Sequence, residues 1–249
     1  MNDLTLLTGT TFILLIVNRL NWLTKSGTFA AGNMGGMVII FSDWKHIIPF
    51  LIFFIAGSIT SKLQPTSSGS GRNAIQVISN GIIALIMLLI FSLTQSEIYL
   101  TGFLVSLSIS LCDTISSDVG TFMKGSTYDI ITWKPVQVGV SGGISFTGTI
   151  AGLMSSILFA ISAGFMYDIN TSNLFMIVAG GVAGMITDSI LGSKWQSRYL
   201  LHGKITEEKS EKALYHSGYQ WLDNNMVNLV SNLLVSVASI MIIHWFSDS

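Results

Sequence analysis

The sequence predicts an all-α fold, a polytopic bundle of about eight helices embedded in a membrane. Three observations carry this reading. Half of the 249 residues are hydrophobic and only 10% are charged, against roughly 25% charged residues in a soluble domain. The apolar residues run continuously for about 16 to 25 positions, long enough for helices to cross a hydrocarbon layer of about 30 Å, and they lack the alternation of barrel strands. Finally, with eight spans, Arg19, Lys25, Lys62, Arg72, Lys124, Lys134, Lys194, Arg198, Lys204, Lys209 and Lys212 fall on one side and only Lys45 on the other. So strong a bias marks the basic side as cytoplasmic and places both termini outside.

The spans are expected at roughly 4–20, 27–42, 46–62, 73–95, 98–117, 142–166, 172–193 and 222–246. The first lacks a basic leader and a cleavage site, so it is read as retained. The second and third are the shortest, and the glycine-rich "GTFAAGNMGGMVIIF" leaves open a re-entrant pair. The chain reads as a single membrane domain over 1–249. Its long polar loop, 194–220, is expected to be cytoplasmic, with a short helix near 206–214. "QPTSSGSGRN" reads as a flexible linker.

Cys112 is the single cysteine. His46, His202, His216 and His244 show no metal-ligand spacing. Function must lie in the polar residues of the spans, which gather at their cytoplasmic ends. The fifth span closes on "DTISSDVG", with Asp113, Ser116, Ser117 and Gly120 at i, i+3, i+4 and i+7 on one helical face, and Asp118 beside them. Carboxylates are costly in a membrane and face the bundle or a water-filled cavity. With hydroxyls and a glycine on the same turn, Asp113 and Asp118 suggest a Mg²⁺ and phosphate site, set against the plainer reading of an interfacial cap.

In "GVSGG", Gly139, Ser141, Gly142 and Gly143 are expected to open the sixth span. They present backbone N–H groups to a phosphate or simply allow a tight helix start. In the seventh span Gly180, Gly184, Asp188 and Gly192 recur every four residues. That is a close-packing face holding one acid, with Asp188 a further Mg²⁺ ligand and Ser189 beside it. Asn73, Gln76 and Asn80 share a face of the fourth span, and Asn224 and Asn228 lie one turn apart at the start of the eighth. Each amide either joins helices or hydrogen-bonds a base, ribose or phosphate.

"DTISSDVG", "KPVQVGVSGG", "DSILGSKWQ", "WLDNNMVN", "GRNAIQVISNG" and "SGTFAA" occur in this sequence. Together they resemble the ordered motifs of the transmembrane protein 19-like membrane family, which includes phytyl-phosphate kinase. The resemblance runs from about residue 26 to 232. It implies phosphoryl transfer from a nucleoside triphosphate to an isoprenyl monophosphate, giving the diphosphate. "DTISSDVG" is also similar to the Asp-x-x-Ala-Ser-x-x-Gly element of CTP-dependent dolichol and phytol kinases. That similarity implies CTP as donor and a nucleotide and metal role for Asp113, Ser117 and Gly120. The chain departs from the family pattern at Ile115, Ser116 and Asp118, where Trp, Ala and Glu are common, and at Val140 and Asn225.

On this reading Asp113, Asp118 and Asp188 hold Mg²⁺. The loop 139–143, with one or more of Lys62, Arg72, Lys124 and Lys134, neutralises phosphate charge, and Lys134 is assigned the catalytic role. The expected partners are an isoprenyl monophosphate, a nucleoside triphosphate and the bilayer. No nucleic acid is expected, and homo-oligomer formation stays open. The expected location is a bacterial cytoplasmic membrane. The competing class is a secondary transporter of a small polar or anionic solute, whose acids would lie near the bilayer midplane.

Overall fold

The computed structural model describes residues 17, 19–63, 71–201, 203–207 and 209–247. Seven helices begin and end among them: α1 (Lys25–Phe41), α2 (Ile47–Ser61), α3 (Ala74–Thr94), α4 (Glu97–Met123), α5 (Phe146–Met166), α6 (Thr171–Trp195) and α7 (Asn224–Ser247). They match the second to eighth expected spans. The expected first span, 4–20, and linker residues 64–70 lie outside the described residues. From the segment Trp44–Ser61 to α7, six of these elements are long and apolar enough to cross a membrane.

The bundle is built around α4. Every residue from Leu100 to Cys112 is buried, because α2, α3, α5, α6 and α7 all pack on this helix. Glycines permit the closest approaches. A Cβ on Gly181 would lie 2.3 Å from Ser156 Oγ and 2.5 Å from Ser108 Oγ, and one on Gly184 would lie 2.3 Å from Ile109 Cγ2. Of the small-residue face expected in α6, Gly180 and Gly184 press on Val105 and Ile109 of α4, and Gly192 meets Ser141. Polar groups inside the bundle satisfy one another. Asn232 Nδ2 donates to Ser106 O (2.9 Å) and Ser110 Oγ (3.0 Å), while its Oδ1 accepts from Ser106 Oγ (2.7 Å) and Ser236 Oγ (3.1 Å). The outward residues Phe29, Ile40, Leu93, Phe165, Phe175 and Trp245 are exposed, as a lipid-facing surface requires.

α1 and α2 cross the bundle from end to end instead of turning back within it. Thr24 N at the start of α1 donates to Arg72 O beside the start of α3 (3.1 Å). The connection between α1 and α2 sits at the other end, where His46 packs on Phe91, Phe103 and Tyr167. Pro49 is tolerated in the first turn of α2, where its missing N–H breaks no helical bond.

The structure corrects three expectations. α4 continues to Met123, six residues past the expected end, because Asp118 is buried against α2 instead of ending the helix. "GVSGG" does not open α5. Gly143–Ser145 form strand β2, paired antiparallel with β1 (Thr127–Asp129), and Ser145 caps the helix by accepting from Gly148 N at 3.2 Å. Among the described residues the loop 194–220 holds no helix near 206–214. It forms a three-stranded sheet in the order β4-β3-β5 from β3 (Arg198–Leu201), β4 (Lys204–Thr206) and β5 (Leu214–Ser217). The charges of "TEEKSEK" suggested a helix, but the β-branched and aromatic residues flanking them pair as strands, with Gly203 at φ +77° in the turn between β3 and β4.

Candidate functional site

Asp118, Asp113, Asp188 and Glu207 lie at the basic end of the bundle. Asp118 in α4 is buried, and its Oδ2 accepts from Thr60 Oγ1 and Ser61 Oγ in the last turn of α2, both at 2.8 Å. Arg72 lies beside it, with its Nη2 3.4 Å from Ser61 Oγ and its guanidinium 5.5 Å from the ring centroid of Phe53. Gly57 makes room for this, since a Cβ there would sit 2.5 Å from Arg72 Nη2. Burial pulls the Arg72 guanidinium below its ordinary value, and the charge of Asp118 opposes that shift.

Asp113, half-buried one and a half turns earlier, is in electrostatic contact with Asp118. Asp188 in α6 interacts in the same way with Asp113 and with Glu207. Asp188 is oriented by α7: its Oδ2 accepts from Ser231 Oγ at 3.2 Å and, with the amide of Asn228 turned to face it, from Asn228 nitrogen at 2.9 Å. The charges of these carboxylates thus interact in succession, from Asp118 and Asp113 of α4 through Asp188 of α6 to Glu207 after β4. Among the described residues no three acidic, histidine or cysteine side chains converge as a ready-made cation cage.

The glycine loop lies at one end of this series. Gly139 (φ +86°) and Gly142 (φ +82°) bracket the turn. Gly142 is pressed onto the last turns of α6, where a Cβ would meet Ser193 Cβ at 2.4 Å. Val140 N and Gly143 N bond within the loop, to Gln137 O and Val140 O, whereas Ser141 N points out and donates to Glu207 Oε1 at 2.6 Å. Asp129 anchors the neighbouring β1–β2 connection. It accepts from Ser193 Oγ (2.5 Å) and from the amides of Thr132 (2.7 Å) and Ile131 (3.1 Å). Burial raises its pKa, but these bonds outweigh burial and hold it below the ordinary aspartate value. Lys134 is exposed in this connection. A cavity of about 420 Å³ is lined by Tyr128, Trp133, Ile144, Phe146 and Thr147, among others. Among the described residues, Thr147 Oγ1 is buried without a hydrogen-bond partner.

Other expected site residues are engaged elsewhere. Asn73 and Gln76 form a reciprocal cap at the start of α3, through Gln76 N to Asn73 Oδ1 (3.0 Å) and Asn73 N to Gln76 Oε1 (2.9 Å), and Asn80 Nδ2 donates to Gln76 O at 2.9 Å. Gly120 is a contact point between α4 and α5, where a Cβ would meet Ser145 Oγ at 2.8 Å. Ser117 is exposed, Ser189 is half-buried beside Asp188, and Asn224 starts α7 behind the cap Asp223. Lys62 Nζ donates to Leu20 O at 2.8 Å.

Residues 8–236 match the family described as Integral membrane protein DUF92. The chain belongs to this family. Its relatives include an uncharacterized membrane protein of Methanocaldococcus jannaschii, 26% identical over 198 residues that cover 76% of this chain and 82% of that protein. The chloroplastic protein VTE6 of Arabidopsis thaliana is 27% identical over 146 residues, 59% of this chain and 38% of VTE6. Protein PGR of the same plant is 28% identical over 251 aligned positions, covering 85% of this chain and 87% of PGR. No solved structure matches the chain. Family membership agrees with the resemblance carried by the motifs, and makes the chain an integral membrane protein.

Proposed function

We propose that this DUF92 protein is a lipid-phosphate kinase. It transfers a phosphoryl group from a nucleoside triphosphate, CTP by motif resemblance, to an isoprenyl monophosphate of phytyl or geranylgeranyl type. The observation that carries the reading is the series of carboxylates joined to an anion-holding loop at the basic end of a membrane bundle. The family resemblance, which includes phytyl-phosphate kinase, supports the same reaction. In this reading the basic end faces the cytoplasm.

An isoprenyl monophosphate is already an anionic nucleophile near neutral pH, so no strong general base is needed. The main barrier is bringing two polyanions together in line. Mg²⁺ takes oxygen ligands and is commonly held by one or two carboxylates plus substrate phosphates and water. Asp113 and Asp188, half-buried acids of α4 and α6, fit that pattern. Bound there, the ion would neutralise charge on the donor phosphates. Asp118, already bonded to two hydroxyls, would hold Arg72 and the end of α2 against the site. Ser231 and Asn228 orient Asp188. Lys134 supplies positive charge and Ser141 of the loop 139–143 its outward N–H, and the cavity beside Trp133 and Phe146 receives the head-proximal part of the lipid.

A transporter would use polar groups near the middle of the bundle. There the buried Ser106, Ser110, Asn232 and Ser236 bond to each other, which favours the kinase. The test is diphosphate formation by purified protein in lipid with Mg²⁺, from geranylgeranyl or phytyl monophosphate and CTP, ATP, GTP or UTP. Product from at least one pair supports the kinase. No product from any pair, with no nucleotide-dependent thermal shift, rejects it.

A further inference from the structure

The glycine loop already holds an anion, and that anion belongs to the protein. Glu207 Oε1 accepts from Ser141 N at 2.6 Å, and its Oε2 accepts from Ser141 Oγ at 2.7 Å and Gln196 Nε2 at 2.8 Å. Three donors on one carboxylate make a charge-assisted anion site of the kind formed by backbone concavities. The surrounding groups favour negative charge further. Arg198 Nη2 donates to Ser141 O (3.0 Å) and Gly192 O (3.4 Å), while its Nε is buried with no hydrogen-bond partner among the described residues. Gln196 is 2% exposed and fixed at the end of α6.

The cradle and its occupant are anchored very differently. Gly142 and Gly192 press the loop against α6 so closely that a Cβ at either would lie 3.0 Å or less from Ser193 or Ser141. The cradle therefore cannot yield without moving a membrane helix. Glu207 instead follows β4, an outer strand of the three-stranded sheet that pairs with β3.

We propose that Ser141, Gln196 and Arg198 form a binding site for the phosphate groups of a phosphate ester or diphosphate, and that Glu207 is its exchangeable internal occupant. The identity of the ligand rests on the kinase reading; the anion site itself does not. In the empty state Glu207 keeps Ser141 N, Ser141 Oγ and Gln196 Nε2 satisfied. Phosphate displaces it, and the edge of the sheet moves outward.

The experiment measures binding of inorganic pyrophosphate to the full-length protein in lipid nanodiscs by calorimetry, without lipid substrate or nucleotide. Glu207→Ala is expected to tighten binding about tenfold, and adding Ser141→Ala to that variant is expected to abolish the gain. Unchanged or weaker binding by a folded Glu207→Ala protein overturns the proposal, as does absence of pyrophosphate binding in every form. Should Glu207→Ala fail to fold, Ser141→Ala in the native chain decides: a fivefold or greater loss of affinity supports the site, and unchanged affinity overturns it. Pyrophosphate binding without phosphoryl transfer would reject only the kinase. Transfer without any effect of Glu207 on binding would reject only this site.

Discussion

Where α1 turns into α2, His46 stacks on Tyr167 with ring centroids 5.6 Å apart, and the polar contacts around it are local. Asp43 caps Lys45 N at 3.0 Å, Ser42 meets His46 Nδ1 at 2.9 Å, and Asn170 caps Asn173 N at 2.8 Å, each within four residues in sequence. At the opposite end the contacts join remote segments. Thr60 reaches Asp118 across 58 residues, Ser231 reaches Asp188 across 43, and Ser141 reaches Glu207 across 66. Local bonds finish helix ends. Remote bonds between acids, hydroxyls and amides fix several helices around one point, which is what a site for two polyanions requires.

The sharpest way to break this contrast is to remove one acid from the basic end and one ring from the other. Asp188→Asn is expected to lower phosphoryl transfer on the order of 10² to 10³ fold, the scale of losing one preorganised charge contact. His46→Ala should keep the rate within about twofold and lower the melting temperature. Similar rate losses in both would erase the distinction between the ends. A smaller effect is expected from the pair Asp118 and Arg72. A double-mutant cycle with Asp118→Asn and Arg72→Gln, read by unfolding in detergent, should give a coupling of roughly 0.5 to 3 kcal/mol. Additive effects would mean the two side chains do not act together.

Asn232→Ala tests the middle of the bundle, which belongs to neither end. Leaving Ser106, Ser110 and Ser236 without their shared partner should cost about 1 to 3 kcal/mol of stability, with little change in KM. A large rise in KM would instead mark this layer as a substrate path. The smallest effect concerns Asp129. Its folded pKa is held below the unfolded value of about 3.9, so its contribution to stability is full above that pH and is lost as pH falls through the folded value. Wild type should lose more stability than Asp129→Asn on acidification, as measured by thermal unfolding. Parallel curves would refute the role of its bonds to Ser193, Ile131 and Thr132.

The membrane helices were legible in the sequence because each needs a long apolar run, and six of the seven described helix starts fall within two residues of their expected positions. α4 hid its true end because Asp118 looks like an interfacial stop until Thr60 and Ser61 are placed beside it. The sheet at 198–217 was not legible, since strands of three or four residues carry too little periodicity to outweigh a charged stretch. Asp113 and Asp188 stood out as acids in apolar runs. Glu207, Gln196 and Arg198 did not, because an acid within a charged loop gives no local sign that it binds a glycine turn 66 residues away. Thr60 and Ser61 left a faint signal as paired hydroxyls at the end of a span. Asn73 and Gln76 misled, because the same spacing that aligns them on a face also builds a capping box.

The central claim is most directly tested by transfer of radiolabelled phosphate from CTP to geranylgeranyl monophosphate, by wild type and Asp113→Asn side by side in lipid with Mg²⁺. Wild type is expected to form labelled diphosphate, and the variant to lose at least about 10² fold of that rate. Equal rates in the two proteins would contradict the claim, because the acid at the centre of the series would then have no part in the reaction.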